Sequence, residues 1–177
     1  MEKILYDLMD WAGIEELVYS ESDDPGRLLG ASMVKEGLLI QAYIPNAKKV
    51  SVKLGREKIP MEMADEGGFF AVLFEERREL EPYRFCIEYE DGSEEESEDP
   101  YCYRFGSMFQ EEELKKLAAG IYYNSYEKLG AHPTANNGVK GVHFAVWAPE
   151  AMRVSVVGDF NCWDGRRHQM RRLGDSG

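Results

Sequence analysis

The sequence is short of cysteine, of positive charge and of long apolar runs, and each shortage closes off a class of function. Its three cysteines, Cys86, Cys102 and Cys162, stand singly with no CxxC pair. That excludes a zinc knuckle or a small disulfide framework, and makes reduced thiols in a cytoplasmic protein the expectation. The three histidines, His132, His143 and His168, lack ligand spacing, so neither a metal nor a cofactor is expected. Lysine and arginine number 21 against 33 acidic residues, a formal net charge of −12. A chain this acidic has no electrostatic hold on nucleic acid or on an anionic membrane surface, whereas a neutral ligand is indifferent to the sign. No run approaches the roughly 20 apolar residues of a membrane helix. The acidic start, Met1-Glu-Lys-Ile-Leu-Tyr-Asp, never gathers the apolar block of a signal peptide.

What is present is a globular composition: 177 residues, 44% hydrophobic and 12% aromatic. The length suits one or two domains, and self-similarity favours two. Residues 37–53 read GLLIQAYIPNAKKVSVK and residues 141–157 read GVHFAVWAPEAMRVSVV. Pro45/Pro149, Ala47/Ala151, Val50/Val154, Ser51/Ser155 and Val52/Val156 coincide at an offset of 104, with Tyr43/Trp147 and Lys49/Arg153 as conservative pairs. Leu29-Gly30-Ala31 recurs as Leu129-Gly130-Ala131 at an offset of 100, and a surface turn absorbs the difference.

Both matched segments alternate with period 2, as a strand with one buried face does. Leu38, Ile40, Ala42 and Ile44 share a face in the first copy; Val142, Phe144, Val146 and Ala148 share it in the second. The prolines end these strands, and second strands follow at residues 50–54 and 154–157. The first copy runs on through residues 69–74 and 83–89, an Asp91-Gly92 turn, and a last strand near residues 101–105. The fold class is mainly β, an immunoglobulin-like antiparallel β-sandwich. An amino-terminal helical segment (1–27, with a helix at about 2–11) leads into the complete first sandwich (28–106). A linker (107–130) carries a helix at about 108–119, with Ser107 and Gln110 as its capping box and Gly120 as its C-cap. The second sandwich (131–177) is partial, lacking counterparts of residues 69–105. Its Val142, Phe144, Val146, Val154 and Val156 should therefore lack cover. The acidic run Glu94–Asp99 reads as a solvated loop at the end of a hairpin.

No nucleophile–base pair, phosphate loop or metal cluster is visible, and GxSxG, HExxH and Walker patterns are absent. No catalytic residue is assigned. The sharpest local signal is Gly158-Asp-Phe-Asn-Cys-Trp-Asp-Gly165, a glycine-bounded turn with Asp and Asn caps that displays Trp163. Two roles fit that indole. It can offer a face to the axial C–H groups of a pyranose, with Asp159, Asn161 and Asp164 at its rim, or it can plug the end of the sandwich or dock on a neighbouring domain. Trp147 and its counterpart Tyr43 suit an interdomain contact, and Tyr122, Tyr123 and Tyr126 suit packing of the linker. Arg166-Arg-His-Gln-Met-Arg-Arg172 is the only basic cluster, and an intramolecular acidic partner is its expected use.

The runs Tyr126-Glu-Lys-Leu-Gly-Ala-His-Pro133, Gly141-Val-His-Phe-Ala-Val-Trp-Ala-Pro149 and Val154-Ser-Val-Val-Gly-Asp-Phe-Asn-Cys-Trp-Asp-Gly-Arg166 resemble bacterial 1,4-α-glucan (glycogen) branching enzymes. The likeness continues to Gly177, with Gln169 where the family usually has proline. It is weaker over 24–106, where Asp24-Pro25, Leu29-Gly-Ala and Pro45-Asn-Ala match the first of two amino-terminal β-sandwich modules. The resemblance implies that the second copy is a glycogen-binding carbohydrate-binding module in which the tryptophan matching Trp163 stacks on glucose. The first copy has Lys53-Leu-Gly-Arg56 at the equivalent turn, without a tryptophan, which favours a spacer role. It further implies an α-1,4-glucan or glycogen partner. It also implies a carboxy-terminal TIM barrel that carries a retaining carboxylate pair for cutting α-1,4 chains and transferring them to 6-hydroxyls. None of those barrel positions occurs in this sequence. Two other roles stay open: a structural interdomain scaffold without glycan affinity, and a regulatory glycogen-binding subunit.

Overall fold

The computed structural model describes residues 2–22, 24–102, 109–136 and 139–174. Two short helices open the chain, α1 (Lys3–Leu8) and α2 (Trp11–Val18). The sequence suggested one helix over 2–11; the chain instead breaks at Met9 and starts again at Asp10. The Asp10 carboxylate caps α2 by accepting from the Gly13 N–H at 3.1 Å.

Eight strands follow: β1 (Gly30–Met33), β2 (Leu38–Tyr43), β3 (Ala47–Leu54), β4 (Glu57–Pro60), β5 (Glu62–Asp65), β6 (Phe69–Phe74), β7 (Tyr83–Tyr89) and β8 (Glu94–Glu98). They form two four-stranded antiparallel sheets, ordered β1-β2-β6-β5 and β4-β3-β7-β8. The core between the sheets holds Leu38, Ile40 and Ala42 from one sheet against Val50, Val52, Phe85 and Ile87 from the other. This is the expected sandwich.

Alternation understates β2, whose six residues are all buried. The outward residues Leu39 and Tyr43, with Phe69 and Ala71 of β6, pack under Leu5, Met9, Ile14 and Leu17 of the two helices. Gln41, on the same outer face, donates its amide N–H to Leu28 O at 3.1 Å. A third layer thus covers a sheet face expected to be solvated. Where β2 passes into β3, Gly68 approaches so closely (φ +104°) that a Cβ would stand 2.5 Å from Ile44 O.

The acidic run is a strand, not a loop. Residues 94–98 pair with β7 in the register Arg84↔Glu98, Cys86↔Glu96 and Glu88↔Glu94. Neighbouring cations make this edge tenable: Lys53 Nζ lies 2.7 Å from Glu96 and Arg84 pairs with both Glu96 and Glu98. A charged edge also discourages pairing with another chain. The strand expected near 101–105 is not seen where the chain is described, since Tyr101 and Cys102 lie in a turn and residues 103–108 fall outside the described residues. So does Ser107. The linker helix α3 (Glu111–Ala118) starts later than expected, with Gln110 as its N-cap. The Glu113 carboxylate accepts from the Gln110 N–H at 2.8 Å, and Gly120 follows in the left-handed region at φ +69°. Among the linker tyrosines only Tyr122 packs, edge-on to Phe109 at 6.4 Å, while Tyr123 and Tyr126 are exposed. Among the described residues no helix is long and apolar enough to cross a membrane.

The second copy repeats the opening of the first in backbone detail. A single 3-10 turn, Pro25–Arg27 or Ser125–Glu127, precedes a left-handed glycine, Gly30 (φ +97°) or Gly130 (φ +104°). From it run β9 (Gly130–Asn136) and β10 (Val139–Ala145). Gly30↔Gln41 and Ala31↔Ile40 in the first hairpin match Gly130↔Ala145 and Ala131↔Phe144 in the second, at the offsets of 100 and 104. The next pairing recurs too: Ser51↔Pro60 becomes Ser155↔Gln169. Likewise the bond from Met61 N to Val50 O becomes Met170 N to Val154 O, both at 2.9 Å. The strand expected at 154–157 shrinks to that isolated bridge, because the long turn beyond it leaves few residues to pair.

Candidate functional site

The Trp163 turn is built as an enlarged hairpin. Ser155 bridges Gln169, and Val156 N donates to His168 O at 2.9 Å. Between them the chain makes a 3-10 turn at Asp159–Asn161 and then holds Cys162 (φ 55°) and Trp163 (φ 59°) in the left-handed region. Two consecutive non-glycine residues there cost about 1–2 kcal/mol each, so the surroundings must enforce the turn.

Asn161 does the enforcing. Its side chain is fully buried. Oδ1 accepts from Gly158 N at 3.0 Å, and Nδ2 donates to Val156 O at 2.8 Å. These two bonds fix which end of the amide is which, so the 3.1 Å contact from Nδ2 to His168 Nδ1 requires that ring nitrogen to accept. His168 is thus the neutral Nε2–H tautomer, consistent with burial, and then Arg167, pushing its pKa below the ordinary histidine value. The Asp164 carboxylate grips Arg166 through Nε (2.9 Å) and Nη2 (2.7 Å), which holds the Asp164 pKa down.

On this support Trp163 is 67% exposed, and its indole N–H donates to Asp159 Oδ1 at 2.9 Å. The ring is therefore displayed and oriented at once. Asp159 is exposed beside it and has an oxygen to spare. Asn161 was expected at the rim; it is instead beneath the turn, with its amide committed to the protein, so its role is to shape the turn. Phe160, not singled out by the sequence reading, is 56% exposed in the same turn and packs edge-on against His168 at 5.3 Å. Its signal was an aromatic inside a polar glycine-bounded turn, where no core position exists. Trp147 does not sit on a strand as expected. It follows the end of β10 by two residues and is 43% exposed.

Beside the turn lies an apolar groove of about 930 Å³, lined by Val142, Phe144, Val146, Val154, Val156 and Met170 among others. The expected lack of cover is plain at Val142 (51% exposed), Val146 (49%) and Phe144 (39%). A buried carboxylate, Asp99, lies outside this groove. Burial pushes its pKa up to about 6, the Tyr83 hydroxyl donates to it, and it accepts from Tyr101 N at 2.8 Å. These bonds close the turn after β8, where burial, and then Asp99, push the pKa of the Cys102 thiol up and leave it a poor nucleophile. Among the described residues no group of three or more His, Cys, Asp or Glu is arranged to hold a metal ion.

Residues 10–101 match the family described as the alpha-1,4-glucan branching enzyme GlgB, N-terminal domain. Residues 128–177 match carbohydrate-binding module 48, the isoamylase N-terminal domain. Similar solved structures include the catalytic module of the multi-modular glycogen-degrading pneumococcal virulence factor SpuA (23% identity, TM-score 0.37, covering 50% of this chain and 14% of that one). A pullulanase from Paenibacillus barengoltzii complexed with maltotriose is similar at 20% identity and TM-score 0.38, over 56% of this chain and 16% of that one. A pullulanase from Bacillus acidopullulyticus is similar at 17% identity and TM-score 0.40, over 68% of this chain and 15% of that one. The chain thus spans about a sixth or less of the length of these structures.

Proposed function

We infer that this chain, which belongs to the α-1,4-glucan branching enzyme N-terminal domain family, is a non-catalytic carbohydrate-binding region that holds an α-1,4-glucan for the branching reaction. Residues 28–106 act as a sandwich spacer, 107–130 as the linker, and 131–177 as the glucan-contacting module. The whole enzyme would act on glycogen through a barrel that follows, in the cytoplasm, a compartment that suits three cysteines with no disulfide among them.

The single observation that carries this reading is the pinned, exposed indole of Trp163. The negative face of an aromatic ring attracts the polarised axial C–H groups of a glucose unit. A ring whose N–H is already held by Asp159 loses little freedom when sugar arrives. Glucan hydroxyls at the rim donate to the exposed Asp159 carboxylate. A neutral polysaccharide also accounts for how a net charge of −12 is no obstacle to binding.

The test is affinity electrophoresis through a glycogen-containing gel. The wild-type chain should be retarded and Trp163→Ala should run as in a gel without glycogen. Equal mobility of the two proteins, with and without glycogen, would reduce the region to a scaffold. That second reading has its own support in the uncovered Val142, Phe144 and Trp147, and it predicts loss of enzyme integrity rather than of glucan affinity when those residues are changed.

A further inference from the structure

The segment that leaves the Trp163 turn is tied at two points to one end of the first sandwich, just after Arg166. Arg166, held by Asp164 at 2.7 Å, lies close enough to Tyr43, the last residue of β2, for the two groups to interact electrostatically. Arg167 Nη2 lies 3.5 Å from Glu95 Oε2, and its side chain is only 12% exposed. Glu95, on β8, also accepts from the Tyr89 hydroxyl at 2.5 Å. Two residues further on, Gln169 O accepts from the Tyr101 hydroxyl at 3.4 Å. The anchors come from β8 and from the turn after it, and they converge on Arg167 and Gln169 of the second copy.

An exposed surface ion pair would mean little. Arg167 differs because most of its side chain is out of water, so removing Glu95 leaves a poorly solvated charge without its partner. Arg166 forks its guanidinium onto Asp164 within the turn, a geometry that lysine cannot reproduce. Any movement of the turn against the first sandwich must disturb the Arg167–Glu95 pair and the Tyr101–Gln169 bond together. The first copy has no tryptophan at its own equivalent turn, where β3 meets β4, so a direct sugar contact there is not what joins it to the site.

We propose that Arg167 is a positioning residue that latches the Trp163 turn onto the first sandwich, and that the first module sets the glucan affinity of the second through Glu95. The affinity part rests on the glucan reading of Trp163; the latch itself does not. Glu95 lies on β8 of the first sandwich, outside the Trp163 turn. Its effect travels through where the indole is held.

The test uses the full chain and follows the Trp163 indole N–H resonance, assigned by its loss in Trp163→Phe, alongside the dissociation constant for maltoheptaose. Glu95→Arg and Arg167→Glu should each shift that resonance and weaken maltoheptaose binding about tenfold, within the ordinary range of coupling between sites. The double charge swap should restore both readouts, which a merely structural lesion would not do. Arg167→Gln serves if Arg167→Glu disturbs folding, judged by the resonances of core methyl groups such as Val52 and Ile87. An unmoved indole resonance in both single variants, or a double swap no better than either, overturns the latch. If the wild type fails to bind maltoheptaose, the glucan reading falls, and the recovery of the indole resonance still decides the latch.

Discussion

Replacing Asn161 by alanine should open the Trp163 turn while leaving the first sandwich intact. The side chain is fully buried and satisfies Gly158 N, Val156 O and His168 Nδ1. Truncation orphans at least the Gly158 donor and the Val156 acceptor, and each buried unpaired group costs about 1–3 kcal/mol. The tip of the turn is exposed, so water partly replaces the lost partners, and a total of about 2–4 kcal/mol is expected. The left-handed conformations of Cys162 and Trp163 then work against closure with a further ~1 kcal/mol or more each. Together these effects exceed what a short hairpin held by one bridge can supply. Amide hydrogen exchange reports the result directly, because Trp163 N donates to Gly158 O at 3.0 Å inside the turn. Exchange at Trp163 should accelerate about a hundredfold for a loss near 3 kcal/mol, with protection across β3 and β7 unchanged. Glycogen retardation should fall with it. Undiminished protection at Trp163 in Asn161→Ala would refute the claim that this amide holds the turn.

Two pH effects and one backbone effect follow from the same reasoning. The folded pKa of His168 is depressed, so its contribution is present above the ordinary histidine value near 6.5 and is lost as pH falls through the folded value. Acid should therefore break the Asn161–His168 bond and speed Trp163 amide exchange, after correction for intrinsic rates, and Asn161→Ala should abolish that extra dependence. Asp99 has the opposite sign: its folded pKa is raised from 3.8 to about 6, so its contribution is full below the unfolded value and lost as pH rises through about 6. Urea unfolding of Asp99→Asn should show its stability relative to wild type improving between pH 4 and pH 7 by up to about 3 kcal/mol; a constant difference would contradict the assignment. Gly68→Ala should destabilise the first sandwich by about 2–4 kcal/mol, measured by thermal unfolding, since the new methyl meets Ile44 O at 2.5 Å.

Period-2 patterning made β2, β3, β6 and β7 legible because these strands carry apolar faces of ordinary kind, while the four-residue strands β1, β4 and β5 were too short to show a pattern. It misjudged β8 because five consecutive residues of Glu-Glu-Glu-Ser-Glu have poor strand propensity on their own. What makes them a strand is Lys53 and Arg84 across the ladder, a tertiary effect that no local window contains. The helix α2 was hidden by Gly13 in its first turn; Arg27 and Leu28 crowd that position so closely that a Cβ would meet both at 3.0 Å. Trp163 and Asp159 were legible as turn residues, and both are exposed and joined by the indole N–H bond. Asn161 was legible as a residue but not as a role: whether an asparagine caps outward or inward depends on His168, seven positions away, folding back over it.

The two copies separate what local sequence dictates from what cover dictates. Their hairpins share a left-handed glycine and the same register, yet Leu38 and Ile40 are 1% and 0% exposed while their counterparts Val142 and Phe144 are 51% and 39% exposed. Register therefore does not depend on a second sheet; it follows from the 3-10 turn, the glycine and the pattern along the strand. Function enters at the next pairing. In the first copy six residues, 53–58, lie between Val52 and Ile59, and they make a tight turn at Gly55 and Arg56. In the second, eleven residues, 157–167, lie between the hydrogen-bonded Val156 and His168. The five extra residues provide the room for a buried Asn161 and a displayed Trp163. The two copies thus differ by one turn on a shared hairpin, which is the form expected when a scaffold is kept and a loop is changed.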